Sequence, residues 1–108
     1  MTAFETFQRE FKKWQHEFGL SGYKVYFKHE PIDDAFANIT FDQLEYIATV
    51  RLNSTPGKDG DVKRSAKHEA IHLLLARLNY IAIKRFIGSE ALDEEIENLT
   101  HKLEGLIP

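Results

Sequence analysis

The sequence predicts an α+β fold in which a small antiparallel or mixed sheet lies under helices. Three observations predict it. An aromatic stripe at helical spacing opens the chain, three short strand-like runs follow as a block, and two more helical segments close it. Strands grouped apart from helices point to an α+β layer rather than to alternating βαβ units. The 108 residues suit one domain with one core, spanning 1–108.

In the opening segment Phe4, Phe7, Phe11, Trp14 and Phe18 recur at steps of three and four, so they share one face of a helix. Thr2 and Glu5 have capping-box spacing, and Gly19 is a natural stop. Arg9, Lys12 and Lys13 are balanced by Glu5, Glu10 and Glu17, so the polar face lacks the basic bias of a membrane-surface helix. Residues 23–29 alternate, with Tyr23, Val25 and Phe27 on one side and Lys24, Tyr26 and Lys28 on the other. Pro31 and the Asp33-Asp34 pair end that run. Residues 35–41 and 45–53 are two further strands, and the short Asp42-Gln43 connection predicts a hairpin.

Residues 53–60 are rich in turn formers, and Asp61 is placed to cap a long helix running to about residue 85. Ala70, Ile71, Leu73, Leu74, Leu75 and Leu78 make this helix apolar nearly all round, so it must be covered on several sides. Gly88-Ser89 marks a break. Leu92, Ile96, Leu99, Leu103 and Leu106 then define an amphipathic final helix.

Composition narrows the function. The net charge of -3 lacks the positive excess of a nucleic-acid-binding domain. With no cysteine there are no disulfides, thiolate nucleophiles or thiolate metal sites, which fits a reducing compartment. No apolar run approaches the roughly 20 residues that span a bilayer. The start, Met1-Thr2-Ala3-Phe4-Glu5, has no basic stretch before an apolar core, as a secretory signal would. The expected address is the cytoplasm, with no membrane and no nucleic acid as partners.

The chemistry is concentrated in His68-Glu69-Ala70-Ile71-His72, a His-Glu-x-x-His pattern. Residues four apart on a helix lie one turn apart on the same face, so His68 and His72 can hold one metal ion. Glu69 lies about 100° round the helix from His68 and about 60° from His72, beside a metal-bound water rather than on the metal. Two imidazoles and an oxygen ligand suit zinc with an open fourth position. An extended motif with Gly at 75 and His at 78 is excluded by Leu75 and Leu78. The third ligand is then expected from the carboxylates of the final helix: Glu90, Asp93, Glu94, Glu95 or Glu97. With the apolar stripe at 0°, Glu95 falls about 60° away at the border of core and cleft, Asp93 about 100° to the other side, Glu97 near 140° and Glu94 nearly opposite. Glu95 is the preferred ligand, with Glu94 and Asp93 as alternatives. His101 falls away from the stripe and is not favoured, and His16 and His29 are expected on the surface. Tyr46, Tyr80 and Arg77 are candidates for stabilising an oxyanion, among which the sequence does not choose.

The segment His68-Glu69-Ala70-Ile71-His72-Leu73-Leu74-Leu75, preceded by a three-stranded block and followed by a helix carrying Glu-Glu-x-x-x-Leu, resembles the minimal gluzincins, including short phage and prophage forms. The resemblance implies a zincin-like fold and a zinc-dependent metallopeptidase acting on a peptide or protein substrate. It implies zinc on His68, His72 and a downstream glutamate matching Glu95 or Glu94, with Glu69 as general base. It also implies that the strand before the motif helix, residues 45–53, is the edge on which the substrate lies. A rival expectation is a non-catalytic, zinc-stabilised module that binds a partner protein.

Overall fold

The computed structural model describes residues 1–84 and 89–107, and it is α+β as expected. The elements are α1 (Ala3–Glu17), β1 (Lys24–Glu30), β2 (Ala37–Asp42), β3 (Ile47–Asn53), α2 (Val62–Lys84) and α3 (Ser89–Leu106). The expected end of the motif helix near Arg85 and the break at Gly88 lie outside the described residues.

The capping box at α1 forms in full. The Thr2 hydroxyl accepts from the Glu5 backbone N–H at 3.1 Å, and the Glu5 carboxylate accepts from the Thr2 N–H at 3.2 Å. The aromatic stripe supplies the core, with Phe7 and Phe11 fully buried and edge-on to the Phe27 ring at 6.5 and 5.6 Å. Phe4 stacks on the exposed His29 ring at 4.8 Å. His16 is exposed as well.

The sheet is mixed, in the order β1-β3-β2. β1 runs parallel to β3 with Lys24 opposite Ile47, and β2 runs antiparallel to it with Ala37 opposite Leu52. Ala48, Val50 and Leu52 of β3 pack with Ala37, with Phe7 and Phe11 of α1, and with Ala66, Ala70 and Leu73 of α2. Helices therefore cover one face. On the other, Arg51 donates to Glu30 at 3.0 Å, Thr40 at 3.1 Å and Asn38 at 3.4 Å, tying the three strands together.

This order corrects one expectation. The strand before the motif helix is central, not an edge. β3 has the most continuous buried pattern of the three strands, and a central position pairs both of its sides. The free edges belong to β1 and β2. The hairpin turn is also longer than the two expected residues. Asp42 accepts from the Leu44 and Glu45 N–H groups at 3.0 and 3.1 Å, and Tyr46 sits at φ 54, so β3 starts only at Ile47.

Asn53 fixes the ground next to the motif helix. It is 3% exposed, and its amide donates to the Ile32 and Ala35 carbonyls at 2.8 and 2.9 Å. Its oxygen accepts from the Ile32 and Thr55 N–H groups at 3.2 and 3.0 Å. One side chain thus holds the loop before β2 and the loop before α2. Asn53→Ala removes four hydrogen bonds to part-buried backbone groups of the two loops and should cost about 1–3 kcal/mol. Urea unfolding at unchanged slope is the measurement, and a loss under about 0.5 kcal/mol would show that the loops hold without it.

Candidate metal centre

Helix α2 begins at the expected cap, where the Asp61 carboxylate accepts from the Arg64 N–H at 3.2 Å. One turn further, Ala66, Ala70, Ile71 and Leu73 point into the core. The helical period then turns His68 and His72 to the border, half-buried, with ring centres 4.9 Å apart. Glu69 is 6% exposed. All three meet α3.

Helix α3 brings Glu97 to the histidines. One carboxylate oxygen lies 3.0 Å from His68 Nε2, and the other lies 2.9 Å from His72 Nε2. His68, His72 and Glu97 form a group whose ligand atoms all lie within 4.8 Å of one another. Glu95, Glu94 and Asp93 are exposed, and no metal-type grouping among the described residues includes them. The expected helix phase is therefore corrected, with Glu97 in place of Glu95.

The cause lies in which residues α3 buries. Ile96 is buried, but so are Thr100 at 0% and Glu104 at 7% exposure. Taking Thr100 as the centre of the covered face, Glu97 lies about 60° away and Glu95 about 140° away on the other side. Leucine positions alone placed that centre too far round. Thr100 satisfies its hydroxyl by donating to the Ile96 carbonyl at 2.7 Å. Glu104 is held by Arg64 and by His68 Nδ1, the latter at 2.6 Å. Lys67 also donates to the Ile107 carbonyl at 2.9 Å, so α2 and α3 are linked along their length.

His101 is the residue that sequence reasoning set aside. It lies one turn after Glu97, with Nε2 3.3 Å from a Glu97 oxygen and its ring 5.0 Å from that of His68. It also belongs to a second possible metal group with His68 and Glu104. Its spacing of four from Glu97 was the available signal.

Burial and charge act together on these groups. Glu69 has no hydrogen bond or ion pair among the described residues. Desolvation pushes its carboxyl up to about 7, with Glu97 and Glu104 adding to the rise and His68 opposing it. Burial lowers His72 below the ordinary histidine range, against the pull of Glu97. Glu104 lies below the ordinary carboxyl range: partial desolvation raises it, but hydrogen bonds from Arg64 and His68 outweigh that.

A cleft of about 1050 Å³ opens onto the cluster. Its walls include Phe36 and Ala37 at the start of β2, Arg64, His68 and Glu69 of α2, and Glu97 of α3. Tyr46, Tyr80 and Arg77 do not line it. No helix is long and apolar enough to cross a membrane among the described residues. Compared with protein-family models, with curated proteins and with solved structures, the chain gives no match.

The Glu69 carboxyl gives a pH-dependent stability of known sign. Its folded pKa lies above the ordinary 4.5, so the native state holds the proton more tightly than the unfolded chain. The stability this contributes is complete at low pH and is lost as pH rises from about 4.5 to about 7. In metal-free protein, the stability of wild type relative to Glu69→Gln should fall across that window by up to about 3 kcal/mol. Subtracting the two proteins cancels the opposite slopes of His72 and Glu104. A difference independent of pH would mean that Glu69 titrates in an ordinary range.

Proposed function

We propose that this protein is a zinc-dependent metallopeptidase with a minimal, zincin-like active site. The observation that carries the proposal is the convergence of His68, His72 and Glu97 beside a buried, unpartnered Glu69 in an open cleft. The donor set fits zinc. Two imidazoles and a carboxylate are zinc ligands, and their ligand atoms here lie within 4.8 Å of one another. His68 Nε2, His72 Nε2 and a Glu97 oxygen would hold the ion, and three protein ligands leave a position open.

Bound zinc supplies a polarised carbonyl and a water acidified to about pH 7. Glu69 would serve as the general base, accepting a proton during attack on the substrate and giving it up to the departing amine. In the metal-free chain burial pushes its carboxyl up to about 7, and a cation bound beside it would favour the ionised form that accepts a proton. Burial keeps it off the surface, and it lines the same cleft as His68 and Glu97. The substrate has a free sheet edge to lie on. Phe36 C=O faces β3, where it accepts from the Asn53 N–H at 2.8 Å, so the alternation turns the backbone groups of Ala37 and Ile39 outward. An extended peptide would add to β2 there and pass the cleft.

One observation favours a second reading, the non-catalytic zinc module. The His101 imidazole sits against Glu97, where it is able to complete a fourth ligand. A closed four-ligand site is the structural kind.

Two outcomes test these readings. Glu97→Ala should weaken zinc binding by more than about 100-fold, beyond what loss of an outer hydrogen-bond partner costs, while Glu95→Ala should leave it unchanged. Chelator competition measures both, and the reverse result would restore the Glu95 phase. Glu69→Gln should retain zinc and lose at least about 100-fold in hydrolysis of a responsive peptide. Zinc-loaded wild type that cleaves nothing across a broad peptide library, and still nothing after His101→Ala, would leave the binding module.

A further inference from the structure

The metal-facing nitrogen of His68 is only half of its environment. Its other nitrogen, Nδ1, lies 2.6 Å from Glu104 Oε2, and Glu104 Oε1 accepts from Arg64 Nε. Glu104 is nearly buried, whereas the Arg64 side chain is 70% exposed. A buried carboxylate with both oxygens engaged by one cation and one imidazole has one orientation.

We propose that Glu104, oriented by Arg64, is a positioning residue that keeps the His68 proton on Nδ1 and so presents the Nε2 lone pair to the site shared with His72 and Glu97. A neutral imidazole has one N–H and one lone pair. Carboxylates face both ring nitrogens, Glu104 at Nδ1 and Glu97 at Nε2, 3.0 Å away; a cation held between Nε2 and Glu97 needs the Nε2 lone pair, and Glu104, which accepts a hydrogen bond and cannot give one, then keeps the proton on Nδ1. The negative charge behind the ring also makes Nε2 a better donor to a cation. Arg64 keeps this carboxylate from acting as a free anion next to Glu97. His72 has no such partner among the described hydrogen bonds, so the device acts on one of the two histidines. The inference rests on the metal-site reading for its purpose, but the proton placement can be read without metal.

The test has two arms. The first uses zinc-free Glu97→Ala protein, in which the carboxylate facing Nε2 is gone, and reads the His68 proton by nitrogen-15 NMR. The proton should sit on Nδ1. Adding Glu104→Ala should shift it towards Nε2, and Glu104→Gln, which keeps an acceptor oxygen, should hold it on Nδ1 at least in part. The second arm measures zinc affinity in the otherwise wild-type chain by chelator competition. Glu104→Ala should weaken it about 10- to 100-fold, and Arg64→Gln, a change at an exposed side chain, by a smaller factor. Circular dichroism confirms that each variant is folded, and if Glu104→Ala is not, Glu104→Gln and Arg64→Gln decide the matter. A His68 proton that stays where it was in every variant overturns the proposal even if wild type binds zinc. Wild type that binds no zinc but shows the proton shift would overturn the metallopeptidase reading and leave the positioning role standing. Zinc abolished by Glu104→Ala but kept by Glu97→Ala would put the ion on His68, His101 and Glu104, and would also overturn the assignment.

Discussion

Helix α2 carries two histidines and a glutamate through a stretch that is otherwise apolar, and these groups need polar partners where they are buried. Burying them alone would cost several kcal/mol. Helix α3 answers with two carboxylates on one face. Glu97 reaches both His68 and His72, and Glu104 reaches the far side of His68. Much else follows from that demand. α3 must turn a partly polar face inward, with Thr100 and Glu104 buried where leucines would be expected. α1 and the sheet then have to cover the remaining faces of α2, which the aromatic stripe and β3 do.

The same arrangement sets the charge states. Three carboxylates, Glu69, Glu97 and Glu104, share a small volume. Glu104 is held low by Arg64 and His68, against the effect of burial. Glu97 has imidazoles on both oxygens. Glu69 has neither, and burial with like-charge neighbours pushes it up to about 7. Two acidic groups driven apart by their surroundings, as Glu69 and Glu104 are, are suited to different work. On the proposed reading Glu97 would hold the ion, Glu104 would orient His68, and Glu69 would be the one left to move a proton.

Much of this was legible in the sequence. The Thr2–Glu5 cap, the aromatic stripe, the Asp61 cap and the His-Glu-x-x-His face depend on local spacing, and local spacing is what helical geometry fixes. Three features were not. The central place of β3 depends on pairing between segments far apart in the chain. The hairpin starts late because Asp42 bonds the turn backbone and Tyr46 adopts a left-handed conformation, which a tyrosine does not announce. The phase of α3 was misjudged because hydrophobicity marks a buried face only when that face is apolar. Glu104 is buried for its bonds to Arg64 and His68, partners 40 and 36 residues away, and nothing in its own neighbourhood signals that.

Whether an ion here serves chemistry or architecture turns on what already joins α2 to α3. A metal that staples a fold does so because the unliganded contact is too weak to persist. Here the helices are joined independently of the proposed ligands. Lys67 caps the end of α3 through the Ile107 carbonyl, and Arg64 binds Glu104. Ile96 and Thr100 are buried on the covered face of α3. The three ligand side chains are each partly exposed, and His68 and Glu97 open to the cleft. A structural ion would be better placed where no water could reach it. On the proposed reading, an ion at the rim, on a frame held by other contacts and beside the buried Glu69 carboxyl, would stand where a substrate can approach it.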